Sequence, residues 1–215
     1  MDTVELADRL AATVIDYKLG HKTPDFNRMY YGLNLQLVTY LLVLSALGQE
    51  INGKLTSPAA ALYVRLLRRI ESVAHPDDAV EPPAEDFFLT SGNKARGVID
   101  ANFADDLDAV TEQGTSKAYA LRKSQDAVEL RRADVLEHGT FAALVDWTRQ
   151  KIGALADQII DGRIDVYPYR LKTLTPCSTC SYRPVCRLDL AFNRYHWIEP
   201  MGAKRLEQIV AEATP

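Results

Sequence analysis

No run of eighteen apolar residues occurs in the 215-residue sequence, which excludes an ordinary membrane-spanning helix. The longest greasy stretch, Leu33 to Leu47, is interrupted by Asn34, Gln36 and Thr39 and reads as a buried helix. The first fifteen residues carry four charged side chains and no continuous apolar region, so no secretory signal is expected. Cysteine is scarce: three residues, all between 177 and 186, an odd and clustered set unlike a secreted disulfide framework. Basic excess is lacking too. With 25 Lys and Arg against 29 Asp and Glu, the net charge of -4 excludes a histone-like grip on nucleic acid by the whole chain, though not a local basic groove. There is no Walker A sequence, so ATP binding is not expected, and there is no internal repeat. The expectation that remains is a cytoplasmic globular protein, with 47% apolar residues supplying one good core or a core plus a small satellite.

Along the chain, Thr3–Leu6 and Ala12–Lys18 flank a polar turn at Asp8-Arg9 and read as a β-hairpin with a buried, β-branched second strand. After a loop at Gly20–Pro24, one long helix is expected from about Asp25 to Leu47, capped by Gly48. Residues 59–67 fit a strand or a helix. The prolines of Pro76–Asp86 mark a surface linker, and the nine acids against two bases between Asp77 and Asp108 read as a solvated face. A short helix at Phe103–Val110 and an extended polar segment at Ser116–Glu129 follow. Apolar residues at three-and-four spacing predict a second long helix over Asp134–Ile160, stopped by Gly162. Ile164–Tyr169 is extended, and a last helix covers about Gly202 to Ala213. His21, His75 and His138 have no partners at ligand spacing and read as surface residues; Trp147 and the Tyr30-Tyr31 pair read as packing residues.

Two groups of residues carry chemistry. In a strand, residues two apart share a face, so Asp16 and Lys18 stand side by side. A carboxylate ligates Mg²⁺ or Mn²⁺, and a neighbouring ammonium stabilises charge building on phosphorus. Gln36 and Tyr40 lie one helical turn apart on an otherwise apolar helix, able to reach phosphates or to brace the lysine. Taken singly, an Asp-X-Lys strand end is more often a surface ion pair than a catalytic one. The second group is Cys177, Cys180 and Cys186, spaced C-x2-C-x5-C with Pro176 and Pro184 stiffening the loop. Three thiolates so placed suit one soft metal centre: tetrahedral Zn²⁺ with His196 as fourth ligand, or a [4Fe–4S] cluster with a fourth cysteine. Arg163 to Trp197 carries six bases against two acids, which fits a DNA-channel wall or compensation of a cluster's negative charge.

The combination Val14-Ile15-Asp16-Tyr17-Lys18, a short loop, then Gln36-x3-Tyr40 closely resembles the RecB/AddB branch of the PD-(D/E)XK nucleases. Pro176-Cys177-x2-Cys180-x-Tyr182-x3-Cys186, followed by Asp189, Asn193 and Tyr195, resembles the C-terminal Cys loop of the AddB family. The resemblance implies an α/β fold: a mixed sheet flanked by helices, the Asp16–Lys18 strand near its centre, and a helical C-terminal part closed by the Cys loop. It implies a nuclease domain over 1–198, with the loop at 176–187, and a C-terminal helix and tail over 199–215. By the same resemblance Asp16 is a ligand of Mg²⁺ (or Mn²⁺), Lys18 the catalytic lysine, Gln36 and Tyr40 the helix motif, and the three cysteines are ligands of a [4Fe–4S] cluster.

In the family a second acidic ligand lies in the strand before this hairpin and a fourth cysteine lies far upstream. Both are expected outside this sequence, so a weak nuclease is expected from the chain alone. The implied partners are DNA, as double-stranded ends with a single strand in the nuclease channel, an AddA-like helicase–nuclease subunit, and an N-terminal helicase-like region. Two alternatives stay open: a catalytically defective, cluster-stabilised DNA-binding scaffold, and a zinc-binding regulatory module using His196.

Overall fold

The structure is a computed structural model that describes residues 2–6, 9–47, 50–51, 53–66, 74–78, 94–107, 114–116, 118–124, 127–128, 134–201 and 204–213. Along the chain lie β1 (Asp2–Glu5), β2 (Arg9–Lys18), α1 (Phe26–Tyr30), α2 (Gln36–Leu47), β3 (Glu50–Ile51), β4 (Lys54–Arg65), β5 (Arg96–Asp100) and α3 (Ala104–Leu107). They are followed by β6 (Gly114–Thr115), β7 (Arg122–Ser124), β8 (Ala127–Val128), β9 (Val135–Leu136) and α4 (His138–Ile160). The last elements are β10 (Tyr169–Arg170), α5 (Arg183–Cys186), β11 (His196–Trp197) and α6 (Lys204–Ala213). Among the described residues no helix is long and apolar enough to cross a membrane.

The chain forms two compact units, residues 1–24 with 36–145 and residues 25–35 with 146–215. The first is built on a mixed sheet of order β1-β2-β4-β5-β9, with β3 paired to β4. β1 and β2 form the expected antiparallel hairpin, while β2 runs parallel to β4 and β4 antiparallel to β5. The open strand-or-helix choice over 59–67 is settled as strand β4, whose Ala59–Val64 run is buried. Helix α2 packs on β4 and β2. Strand parity separates two faces: Ala60, Leu62, Val64, Ala95 and Ile99 join Leu121 and Val135 in one apolar cluster, and the alternate residues Ala61, Tyr63, Arg96 and Val98 stand on the other. Gly97 is required where β5 crosses β4, because a Cβ there would run into the Ala61 carbonyl.

Several expectations are corrected. The single helix from Asp25 to Leu47 is two helices: Tyr31–Leu35 is not helical, and Gly32 and Asn34 both take positive φ, 81° and 59°. The expected cap Gly48 lies outside the described residues. The second long helix begins at His138 and not Asp134, because Val135-Leu136 extends the sheet beside β5. Asp134 is thereby free to clamp β5: its carboxylate takes Arg96 Nε at 2.8 Å and Nη2 at 2.9 Å, and the Gly97 N–H at 2.7 Å. Asp100, counted in the acidic solvated run, is only 1% exposed and accepts the Asn102 N–H at 3.0 Å. Its other oxygen lies 2.7 Å from Nδ1 of His138, so that histidine does have a partner. Residues 79–93 of the linker and acidic run lie outside the described residues. Of the expected 103–110 helix, residues 104–107 are helical, after a 3-10 turn at Ala101–Phe103, and 108–110 lie outside.

In the second unit α1 and α6 pack together around Arg205, which is 2% exposed. Its guanidinium donates to Asn27 Oδ1 at 3.1 Å, Gln208 Oε1 at 2.7 Å and the Glu199 carbonyl at 3.2 Å, and lies 4.3 Å from the Tyr30 ring centre. Among the described residues, neutral oxygens and ring faces, and not a carboxylate, hold this buried charge. Tyr30 stacks on Trp147 at 5.9 Å, in keeping with a packing role. Gly162 ends α4 with φ 70°, its N–H bonded to the Ile159 carbonyl and that of Arg163 to Gln158.

Candidate active site

The end of β2 delivers Asp16 and Lys18 to one face of the sheet. The Lys18 ammonium lies 2.9 Å from Asp16 Oδ2 and donates to Gln36 Oε1 at 3.2 Å. Gln36 is the first residue of α2, and its Nε2 donates to the Tyr40 hydroxyl, four residues on, at 2.8 Å. A lysine can only donate, so the carboxamide must turn its oxygen to Lys18 and its NH₂ to Tyr40. The four residues expected to act together therefore form one unbroken polar chain: carboxylate, ammonium, amide, phenol.

Asp16 Oδ2 is buried and, beyond that ionic contact with Lys18, has no directed hydrogen bond. A buried carboxylate oxygen left short of donors suits a hard cation. Mg²⁺ sites characteristically use one or two carboxylates, with water and substrate phosphates completing the shell, so Asp16 fits as one ligand. The hairpin register sets Asp2 opposite Thr13, three positions short of Asp16. Asp2 does not stand opposite Asp16.

Tyr63 is a neighbour that the sequence did not single out. The parallel register pairs Tyr63 on β4 with Asp16 on β2, and the Lys18 ammonium lies 5.8 Å from its ring centre. Burial, then the charge of Asp16, then Tyr40, push its phenol above the ordinary tyrosine range. It stays a neutral donor and an apolar floor under the lysine. Arg65 pairs with Lys18 two residues further along. No motif marks either residue, because their place depends on how β4 registers with β2.

The cysteines are arranged differently. Cys177 sits in the 3-10 turn Pro176–Ser178 capped by the Thr175 hydroxyl, Cys180 in the following turn, and Cys186 at the end of α5. Cys180 and Cys186 are exposed and all three are free thiols. Among the described residues no three His, Cys, Asp or Glu side chains are gathered to hold a metal ion. The expectation that the three sulfurs line a single pocket is thus not met. Each thiol stands on its own hydrogen-bonded turn. His196 is taken up by ring packing, stacked on Tyr167 at 5.1 Å and edge-on to Tyr31 at 5.2 Å. Asp189 and Asn193 serve the backbone: Asn193 Oδ1 accepts the Asp189 N–H at 3.0 Å, and Asp189 Oδ1 accepts that of Ala191 at 2.8 Å. Tyr195 and Trp197 flank the Arg170 guanidinium, at 5.0 and 5.1 Å.

The chain is 30% identical over 218 residues to a subunit of the ATP-dependent helicase/deoxyribonuclease of Geobacillus kaustophilus, with 99% of this chain and 18% of that protein covered. The protein of the same name from Symbiobacterium thermophilum is 32% identical over 214 residues, with 98% of this chain and 17% of that protein covered. That of Listeria monocytogenes is 30% identical over 200 residues, covering 91% and 17%. The chain therefore spans less than a fifth of the length of these curated relatives. Residues 1–187 match the PD-(D/E)XK nuclease superfamily, and with a mixed sheet flanked by helices carrying the Asp16–Lys18 pair, the chain belongs to that superfamily.

Proposed function

We propose that this chain is the nuclease module of an AddB-type helicase–nuclease subunit and hydrolyses phosphodiester bonds of DNA in a metal-dependent reaction. The observation that carries the reading is the Asp16–Lys18–Gln36–Tyr40 chain of contacts at one sheet end. Asp16 would hold a Mg²⁺ or Mn²⁺ ion, which when bound polarises the phosphate and lowers the pKa of a bound water. Lys18 places a positive charge beside the reacting phosphorus, where negative charge grows in the transition state. Gln36 fixes where that ammonium stands, and Tyr40 fixes Gln36. The Tyr40 hydroxyl, accepting from Gln36, keeps its own hydrogen for an oxygen of the substrate, and the residue is 37% exposed. DNA ends are the substrate class, and an AddA-like subunit and a helicase-like region are the proposed partners. The relatives' shared name speaks for a combined helicase and deoxyribonuclease.

The three thiols are proposed to bind a soft metal, as a [4Fe–4S] cluster with a fourth cysteine from outside this sequence, or zinc. The chemistry of the donor set favours this, whereas the present placement of the thiols does not fit a bound centre. A structural role for that centre is all that is proposed, and no catalytic step depends on it.

The test is metal-dependent degradation of end-labelled linear DNA by the wild-type protein and by Lys18→Ala. Loss of about 100-fold or more in rate is expected, the scale seen when one charge-stabilising donor is removed. Equal cleavage by both would contradict the assignment.

A further inference from the structure

We infer that Arg65 is a phosphate-binding residue of this site, its guanidinium taking a backbone phosphate of the strand held at Lys18. The inference rests on the nuclease reading above and adds a substrate contact to it.

The register of the sheet places Arg65. β2 and β4 run parallel with Lys18 directly paired to Arg65, and the Leu66 N–H bonds the Lys18 carbonyl at 2.9 Å, so the ladder is intact to that point. Adjacent strands lie about 4.8 Å apart, and paired residues point to the same face. Arg65 is also two residues beyond Tyr63, whose ring lies beneath the Lys18 ammonium. Two cationic side chains therefore rise together from neighbouring strands at the end of the sheet.

Their charge is not balanced. Four bases gather at this end, and three are satisfied: Lys18 by Asp16 and Gln36, Arg96 by the two oxygens of Asp134, and Lys94 by the Ser116 carbonyl at 2.6 Å. Arg65 is not. Its Nε is buried without a hydrogen-bond partner, and no ion pair to it is found among the described residues. A buried guanidinium N–H without an acceptor costs stability unless an acceptor arrives from outside. Among the described residues the carboxylates of this end face Lys18 and Arg96, and a cationic guanidinium is best met by an anion. A phosphodiester meets the fork of an arginine with two oxygens, a geometry that an ammonium does not match. Because the neighbouring cation is the lysine assigned to the scissile phosphate, the occupant is a phosphate of that same strand.

The test is binding of a fluorescently labelled single-stranded oligonucleotide, read by anisotropy in EDTA so that nothing is cleaved, across a salt series. Wild type, Arg65→Gln and Lys18→Gln are compared, with thermal melting run on each. Arg65→Met, which keeps the aliphatic stem, replaces Arg65→Gln if that variant melts early. Removing one phosphate-binding cation should lower the slope of log affinity against log salt by about 0.7, the single-strand value. Arg65→Gln and Lys18→Gln should each show that drop. A wild-type slope in Arg65→Gln and Arg65→Met, with the drop present in Lys18→Gln, would overturn this inference and leave the nuclease reading standing. No salt-dependent binding by the wild type, or no change in Lys18→Gln, would overturn both.

Discussion

The Asp16–Lys18 site and the cysteine loop are both short motifs of reactive side chains, yet one is assembled and the other is not. Asp16 and Lys18 are fixed by strand parity, Gln36 and Tyr40 by helical spacing, and the packing of α2 on β2 and β4 closes the group. Regular backbone, held by its own hydrogen bonds, does the positioning, and the side chains need only reach. Cys177, Cys180 and Cys186 stand on separate turns, and among the described residues they are not gathered as a metal-binding group. A thiolate site of this kind takes much of its order from the metal, because binding and local folding are one event. If the loop binds such a centre, the contrast is between a site that the scaffold preorganises and one that the ligand completes.

That contrast can be broken from the scaffold side first. Gly97→Ala should have the largest effect, since the new Cβ has the Ala61 carbonyl in its place and β4 and β5 must part. A loss of about 3 kcal/mol is expected, at the upper end for overpacking, measured by urea unfolding. Because Arg96 and Tyr63 are paired across the same two strands, nuclease activity should fall with it.

On the loop side, the exposed thiols should react freely with a disulfide reagent in metal-free protein. After anaerobic loading with iron and sulfide, or with zinc, all three should become protected together. An absorption band of the iron–sulfur type that vanishes in Cys180→Ser would select the cluster. One zinc per chain, released in His196→Ala, would select zinc, and unchanged reactivity after either treatment would rule out both.

The smallest effect concerns acid stability in the second unit. Burial works to raise the Glu212 carboxyl, but hydrogen bonds from Tyr30, Trp147 and Gln208 and the Lys151 ammonium outweigh it and hold the group below the ordinary glutamate value. A carboxyl lowered by folding adds stability that is fully present above its unfolded pKa, about 4.3, and is lost as the pH falls through its folded value. Glu212→Gln should therefore flatten the decline in melting temperature below about pH 4. An unchanged acid limb would show that these interactions do not stabilise the charged form.

The legible parts of the molecule are those where local periodicity decides. The β1–β2 hairpin, the face shared by Asp16 and Lys18, and the turn joining Gln36 to Tyr40 all follow from spacing alone. Where two signals competed locally, the stronger tertiary one won. Tyr31–Leu35 interrupts the expected helix because Gly32 and Asn34 take positive φ, and Val135-Leu136 joins the sheet although the expected helix begins at Asp134. Tyr63, Arg65 and the Arg96–Asp134 clamp stayed hidden for a different reason. They depend on strand register and on contacts 38 or more residues apart in sequence, which no window along the chain can show. Asp100 and His138 belong to the same class: an acid in an acidic run is buried because a histidine 38 residues away completes it.

The central claim, that Asp16 anchors a metal beside Lys18, is tested most directly by titrating Mn²⁺ into the wild-type protein, Asp16→Asn and Lys18→Ala, following the electron paramagnetic resonance signal of the free ion. The account predicts that Asp16→Asn weakens binding about tenfold or more, whereas Lys18→Ala still binds Mn²⁺ but no longer cleaves DNA. Undiminished Mn²⁺ binding by Asp16→Asn would contradict it.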